Sequence, residues 1–175
     1  MQAVVDKRGV GKLKKEIAQG IRRGEAVAAT KRSFACYVFN GDEMLMLKTS
    51  DNKWRAVCDE IAAGESPEQA AVRKVYELTG IVIDSLTLMG ELFIVYEQNS
   101  DANRLVFVLY SREFSGSKKE SENIAWVSKQ EAFERHDKTD KLWLPLLLSE
   151  KRFRGEFYFD SPSSNKLIKY KIEKQ

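Results

Sequence analysis

The sequence has few of the residues that mark zinc sites and none of the segments that mark membrane-spanning proteins. Its 175 residues include one histidine, His136, which excludes a histidine-rich zinc site, and its two cysteines, Cys36 and Cys58, have no metal-ligand spacing. No apolar run reaches the ~18 residues of a membrane-spanning helix, and no apolar signal segment follows the basic N-terminus. We therefore expect a cytoplasmic protein without membrane contact.

Positive charge is concentrated near the N-terminus. Residues 1–32 carry +6 and the rest of the chain −3, although the net charge is only +3. Leu13, Ile17 and Ile21 recur every four residues and predict a helix over residues 11–23 with basic outer faces. Those faces suit an acidic partner or nucleic acid; alternatively, the helix packs on the domain with its basic faces in water. We favour the second interpretation, because no aromatic residue interrupts the basic run.

The segment from Trp54 to Ile81 predicts a loop, a capped helix and the start of a strand. Ser66 can accept a hydrogen bond from the backbone of Gln69, whose side chain can reach back, so the two form a capping box. Gly80 ends the helix. The apolar stripe of the helix consists of Ala70, Ala71, Val75 and Leu78.

This segment resembles the Nudix box, which reads Gly, five residues, Glu, seven residues, then Arg-Glu-aliphatic-x-Glu-Glu-x-Gly-aliphatic. The matching positions are Glu65, Arg73, Glu77, Gly80 and Ile81. The resemblance implies an α/β fold, namely a Nudix-type α/β/α sandwich with a mixed β-sheet. It also implies hydrolysis of a nucleoside diphosphate linkage with Mg²⁺ or Mn²⁺, in which Glu65 and Glu77 hold the metal and Arg73 belongs to the catalytic site.

Three positions of the box depart from the pattern. Asp59 stands for the first Gly, Lys74 for the first helix Glu and Leu78 for the last. Positions 74, 77 and 78 share one helical face, where three carboxylates would suit a hard cation. Lys74 can instead pair with Glu77, and unit charges ~4 Å apart interact by about 4 kcal/mol at an effective dielectric near 20. The substitutions therefore predict weak or absent metal binding.

The tail from Trp143 to Ile172 resembles the 8-oxo-dGTP diphosphatase branch of Nudix hydrolases. In that branch a Trp-x-Pro-Leu-Leu-Leu helix precedes Lys-x-Phe-x-Gly-x-Phe-x-Phe and a closing strand that contains Tyr. The sequence has Trp143-Leu-Pro145-Leu-Leu-Leu148, then Lys151 to Phe159, and finally Tyr170. With the box, the resemblance covers residues 33–172. We therefore predict a Nudix domain over residues 33–175 after a basic extension of residues 1–32.

The purine-binding positions of that branch are only partly matched. A Trp and two Asp before the tail helix hold the purine there, and an Asn after the box Trp helps to read the base. Asp140 matches the second Asp, and Arg55 follows Trp54 in place of the Asn; the other two positions hold Asp137 and Thr139. The substrate-binding candidates are Asp140, Arg55 and Trp54. Asp140 either accepts from a purine edge or begins the tail helix as an exposed carboxylate.

A third metal-binding candidate is Glu122, because the family places a metal-linked Glu before the strand that carries Trp126. Glu122 lies in the charged loop of residues 115–123, where a solvated side chain is the alternative. Outside the box, Asn40-Gly41 predicts a hairpin between strands 33–39 and 43–48. Further strands are expected over 81–88, 91–96, 105–110, 125–127, 156–160 and 167–172, with helices over 128–134 and 142–149.

Three functional hypotheses follow. The first is a Nudix-fold protein that has lost or nearly lost diphosphate hydrolysis and retains nucleotide or partner binding. The second is an active metal-dependent pyrophosphohydrolase for a modified nucleoside triphosphate, in which Asp59, Glu60 and Glu122 supply oxygens and Lys74 touches phosphate. The third is an interaction module that uses the basic extension. We favour the first.

Overall fold

The computed structural model describes residues 30–175, so the helix predicted over residues 11–23 and its contacts lie outside the described residues. The strands are β1 (Lys31–Asn40), β2 (Glu43–Lys48), β3 (Trp54–Arg55), β4 (Val57–Glu60), β5 (Val82–Ile83), β6 (Thr87–Tyr96), β7 (Arg104–Ser111), β8 (Phe114–Ser115), β9 (Ile124–Ser128), β10 (Phe153–Phe159) and β11 (Leu167–Lys174). The helices are α1 (Pro67–Thr79), α2 (Lys129–Glu134) and α3 (Leu144–Leu148), with 3₁₀ turns at Ser100–Ala102 and Asp140–Leu142.

A mixed sheet forms the centre of the domain. Its main path runs β11-β10-β6-β7-β1-β2-β3, while β4 pairs with β1 and β9 with β2. The pairs β1–β7 and β6–β10 are parallel, and the remaining pairs are antiparallel. Helices cover the sheet, which confirms the predicted α/β sandwich. Within residues 30–175, no helix is both long enough and apolar enough to cross a membrane.

Two hydrophobic cores lie on opposite faces of the sheet, because side chains alternate along each strand. Phe34, Cys36 and Val38 of β1 belong to the core that packs against α1, here called the helix-side core. Tyr37 and Phe39 of the same strand belong to the second core, here called the cleft-side core, together with Trp143 and Leu144 from the tail. The faces therefore offer two separate environments for functional side chains.

The local sequence signals around α1 are confirmed. The Ser66 hydroxyl accepts from the Gln69 amide at 3.1 Å, and the Gln69 side chain accepts from the Ser66 amide at 2.9 Å. Gly80 ends the helix at a φ of 80°, a conformation that glycine adopts without a Cβ clash. These contacts fix the ends of α1 and thus the direction of the box side chains on it.

Some predicted boundaries were wrong. Gly90 lies inside the continuous strand β6, at a register shift beside Leu88, where a Cβ would come within 2.4 Å of the Phe153 ring. The strand predicted over 81–88 contains only the short β5 before β6 begins at Thr87. The tail helix is shorter than predicted, since a 3₁₀ turn precedes α3. Packing against distant residues, absent from local patterns, sets these limits.

Candidate functional site

The acidic residues of the box are held by Arg73. Its Nε donates to Glu65 Oε1 at 2.8 Å and its second terminal nitrogen to Glu65 Oε2 at 3.0 Å, a two-point contact. The remaining nitrogen donates to Glu77 Oε1 at 3.3 Å. These hydrogen bonds hold the pKa of Glu65 below its usual value, chiefly through Arg73. The structure thus brings the three catalytic candidates together, with the arginine between the two carboxylates.

The two polar substitutions of the box contact each other. Lys74 Nζ lies 2.8 Å from Asp59 Oδ2 and 3.9 Å from Glu77 Oε2. The hydrogen bond to Lys74 lowers the pKa of Asp59, and the same bond raises the pKa of Lys74. Their side chains are only 40% and 25% exposed, so the pair is partly shielded from solvent. The expected Lys74–Glu77 contact therefore exists, but Asp59 is the nearer partner.

The third substitution, Leu78, packs against the helix-side core. It is half-buried on α1, at the place where the motif has its last glutamate. A carboxylate at this position would lose these apolar contacts. Leu78 therefore contributes to packing of the helix and removes an oxygen ligand from the box.

The loop of residues 115–123 reaches the box through a lysine. Lys119 Nζ donates to the Glu77 carbonyl at 2.6 Å, and the Lys119 amide donates to the Thr79 carbonyl at 2.7 Å. Glu122 is exposed, and no ion pair joins it to another residue in the described part of the chain. Sequence analysis missed Lys119, although a basic residue near a helix C-terminus interacts favourably with the last carbonyls.

Within residues 30–175, no group of three or more His, Cys, Asp or Glu side chains converges where a metal ion would fit. Both oxygens of Glu65 accept hydrogen bonds from Arg73, Glu77 lies between Arg73 and Lys74, and Asp59 faces Lys74. The box is consequently a network of ion pairs, in which each acid already has a basic partner.

On the other face of the sheet lies an open cleft of about 480 Å³. One wall is apolar and includes Leu92, Tyr96 and Phe159, and the Tyr96 and Phe159 rings are 5.6 Å apart. The polar residues that line it are Ser33, Arg55, Cys58, Asp59, Glu60, Arg104, His136, Asp137, Thr139, Asp140 and Asn165. Its size and mixed lining suit a small molecule with an apolar part and a polar part.

Asp140 projects into this cleft from the 3₁₀ turn that precedes α3. Burial raises its pKa to about 6, and the charge of Asp137 adds to the rise, while a hydrogen bond from Trp143 opposes it. The side chain keeps 40% of its surface accessible. Asp140 therefore begins the tail turn, as one interpretation expected, but it does so inside the cleft.

His136 forms the floor beside Asp140. Its Nδ1 lies 3.1 Å from the Ala132 carbonyl, which can only accept, so Nδ1 carries the proton and Nε2 accepts from the Tyr37 hydroxyl at 3.0 Å. Burial lowers the pKa of His136 and keeps the ring neutral. Its Nε2 is 4.0 Å from Asp140 Oδ2. A lone histidine gave no sequence signal of this position.

The remaining substrate-binding candidates separate. Arg55 is exposed and lines the cleft, as do Asp137 and Thr139, the substituted purine-binding positions. Trp54 is buried away from the cleft: its indole N–H donates to Glu131 at 3.1 Å, and the Arg135 guanidinium covers its ring at 4.8 Å. Trp54 consequently supports α2.

Known proteins resemble this chain over most of its length. It is 27% identical over 124 residues to the oxidized purine nucleoside triphosphate hydrolase of Danio rerio, covering 69% of this chain and 78% of the relative. The Mus musculus protein of the same name is 27% identical over 110 residues, covering 61% of this chain and 70% of the relative. The crystal structure of a MutT protein from Bacillus halodurans superposes with a TM-score of 0.70 at 26% identity, covering 82% of this chain and 97% of that one.

The family model of the NUDIX domain matches residues 29–147, which is more than half of the sequence. Since that match includes the box, strands β1 to β9 and Asp140, the chain belongs to the NUDIX domain family.

Proposed function

We propose that this chain is a Nudix-fold protein, related to the purine nucleoside triphosphate hydrolases, that has lost or nearly lost diphosphate hydrolysis and retains nucleotide binding in its cleft. The observation that carries the proposal is the ion pair between Lys74 and Asp59, 2.8 Å apart. Both residues replace elements of the motif, and each supplies the charge that the other needs. The pair itself is neutral, so each of the two substitutions places its charge beside an opposite charge.

Nudix hydrolases generally use Mg²⁺ or Mn²⁺. Mg²⁺ needs near-octahedral oxygen ligands at about 2.0–2.1 Å. The residues of this box do not fit that requirement: Glu65 is bound at both oxygens by Arg73, Glu77 lies between two cations, and position 78 is a leucine. Phosphoryl transfer relies on positioned positive charge to neutralise the phosphates, so a box without its metal supports binding better than turnover.

The test is a hydrolysis assay on ordinary and oxidised purine nucleoside triphosphates with Mg²⁺ and with Mn²⁺. We expect wild-type turnover to equal that of Glu77→Gln. Glu68→Gln is a matched control, because it makes the same change of side chain at an exposed position of α1. Isothermal titration should show that Asp59→Gly with Lys74→Glu and Leu78→Glu binds Mg²⁺ at least about tenfold more tightly than the wild type, as expected for three carboxylates on one face.

An active enzyme with a rearranged site is the alternative. It is favoured by the retention of Glu65 and Glu77, each in contact with Arg73. In that case Asp59, Glu60 or Glu122 would supply further oxygens. Metal-dependent wild-type turnover that disappears in Glu77→Gln, but persists in Glu68→Gln, would overturn our proposal in its favour.

A further inference from the structure

The acids that line the cleft are nearly all matched by lysines. Asp59 pairs with Lys74 at 2.8 Å and Asp137 with Lys53 at 3.4 Å. Glu60 has Lys31 at 3.9 Å. The exception is Asp140, whose nearest basic group is the neutral His136. The negative charge of the lining is thus largely neutralised by the protein itself.

Two arginines that line the same cleft lack such partners. Arg55 of β3 and Arg104 of β7 are both exposed. Among residues 30–175, no carboxylate lies within 4.0 Å of either guanidinium, and neither donates a hydrogen bond to another described group. A guanidinium has five donors in a planar fork that matches phosphate and carboxylate oxygens. The cleft therefore contains donors that its own acids do not use.

The two arginines act on a common region of the cleft. Arg55, Arg104 and Cys58 all line the cleft. Burial raises the pKa of the Cys58 thiol, and the positive charges of Arg55 and Arg104 both oppose that rise. Arg104 aligns with Lys31 on β1 and, two positions along β7, Val106 packs against the cleft-side core. Residues two apart share a face of a strand, so Arg104 faces the cleft side of the sheet.

The apolar wall of the cleft suits a planar apolar group. Leu92 and Tyr96 of β6 and Phe159 of β10 are each at most 7% exposed and contribute side chains to this wall. A ligand that contacts both this wall and the two arginines has an apolar, planar part and an anionic part. A phosphate monoester carries a charge between −1.5 and −2 near pH 7, which two guanidinium groups balance.

We propose that Arg55 and Arg104 form a metal-independent phosphate subsite, which takes the 5′-phosphate of a nucleoside monophosphate whose base rests on the apolar wall. The proposal rests on the proposed retention of nucleotide binding and adds where the phosphate goes. In this arrangement the arginines supply, from the cleft face, positive charge that the box network does not offer, since every cation of that network already contacts an acid.

The test is isothermal titration of the full chain in EDTA with guanosine 5′-monophosphate, guanosine and inorganic phosphate. We expect the monophosphate to bind at least about tenfold more tightly than guanosine, because charge-assisted hydrogen bonds to phosphate are among the stronger polar contacts. Arg55→Gln and Arg104→Gln should each weaken monophosphate binding about tenfold and weaken guanosine binding by much less. Added salt should weaken the wild type more than either variant.

Arg32→Gln is the matched control. It removes the same charge from β1, but the Arg32 guanidinium lies over the Phe107 ring, 5.5 Å from its centroid, and that ring packs against the helix-side core. We expect its affinity for the monophosphate to stay within about twofold of the wild type, because the Arg32 guanidinium lies on the face of the sheet away from the cleft.

Each other outcome is decisive. Equal binding of guanosine and its monophosphate, or unchanged binding in both cleft variants, overturns the subsite while leaving nucleotide binding in place. Inorganic phosphate that binds as tightly as the monophosphate supports the arginine subsite and overturns the nucleotide as its source. Binding that requires Mg²⁺ overturns both the subsite and the proposed loss of the metal site.

Discussion

The two faces of the sheet use charge in opposite ways. On the α1 face, two arginine or lysine side chains hold three carboxylates, and each acid has a basic neighbour within 4.0 Å. On the cleft face, Arg55 and Arg104 have no such acid among the described residues, and Asp140 has no charged base. Strand β4 takes part in both arrangements: Asp59 contacts Lys74 and also lines the cleft, together with its neighbours Cys58 and Glu60.

This difference indicates which face has binding capacity left. A charge that is paired within the protein must lose its partner before it binds a ligand. The free energy needed to break that pair reduces the net free energy of binding. An exposed guanidinium without a partner gives up only bound water when it binds a ligand. The box is therefore poorly prepared for a metal ion and the cleft is well prepared for an anion, although the family uses the box for its chemistry.

The largest effect is expected from a variant in which an acidic residue replaces a basic residue of the box. Lys74→Glu places a carboxylate between Asp59 and Glu77, so the variant should be less stable than the wild type and should recover with Mg²⁺. About 10 mM Mg²⁺ acting on a site with a Kd near 1 mM stabilises by about 1.4 kcal/mol. Thermal melting with and without Mg²⁺ measures this effect.

Lys74→Gln serves as the control for that experiment, because it removes the same ammonium without adding a ligand. Its melting temperature should not respond to Mg²⁺. If the wild type itself gains as much stability from Mg²⁺ as Lys74→Glu does, the box already binds metal and the contrast between the faces disappears.

An intermediate effect is expected from Asp140, the unmatched acid of the cleft. Its folded pKa of about 6 lies above the ordinary value of 3.8, so ionisation opposes folding. That cost is absent below pH 4, grows as the pH rises from 4 to 6 and is complete above 6. Asp140→Asn should therefore be more stable than the wild type at pH 7, by about 1 kcal/mol after allowance for solvent screening.

Urea unfolding of both proteins at pH 4 and pH 7 checks the sign of this stability difference. The stability difference between variant and wild type should vanish near pH 4, where both states of the wild type hold the proton. A difference of equal size at both pH values would show that lost packing or hydrogen bonding, and not the charge, is responsible.

The smallest effect is expected for the Asp59–Lys74 pair itself. A double-mutant cycle with Asp59→Asn and Lys74→Gln should give a coupling of about 0.5 kcal/mol, because both side chains are partly exposed. The coupling should decrease in 1 M salt. A coupling of zero at low salt would mean that the two residues do not neutralise each other. The acids of the box would then not all be paired, and the contrast with the cleft would weaken.

Much of this architecture could be predicted from short stretches of sequence. The Ser66–Gln69 capping box and Gly80 gave both ends of α1, and Asn40-Gly41 gave the first hairpin, since capping and turn geometry involve residues three or four apart. The charge deficit at Lys74 and Leu78 was also visible, because helical periodicity fixes which residues share a face. Glu65, Arg73 and Glu77 could be named as the catalytic candidates from the motif.

The pairing of charges could not be predicted in the same way. The sequence offered Glu77 as the partner of Lys74, but the nearer acid is Asp59, which lies fifteen positions away on β4. Arg104 sat at the start of an apolar run and gave no sign that it lines a cleft beside Arg55. Lys119 reached the end of α1 through a loop that was considered only for its glutamates.

The sequence by itself determined the family, the mixed sheet, the ends of the box helix and the loss of two of its carboxylates. Only the tertiary structure decided that Asp59 neutralises Lys74, that Asp140 is buried enough to raise its pKa, and that two arginines remain unmatched in the cleft. The physical reason is that helix caps and turns depend on neighbours along the chain, whereas Coulomb interaction and desolvation depend on distances and burial that exist only once β4, α1 and β7 have packed together.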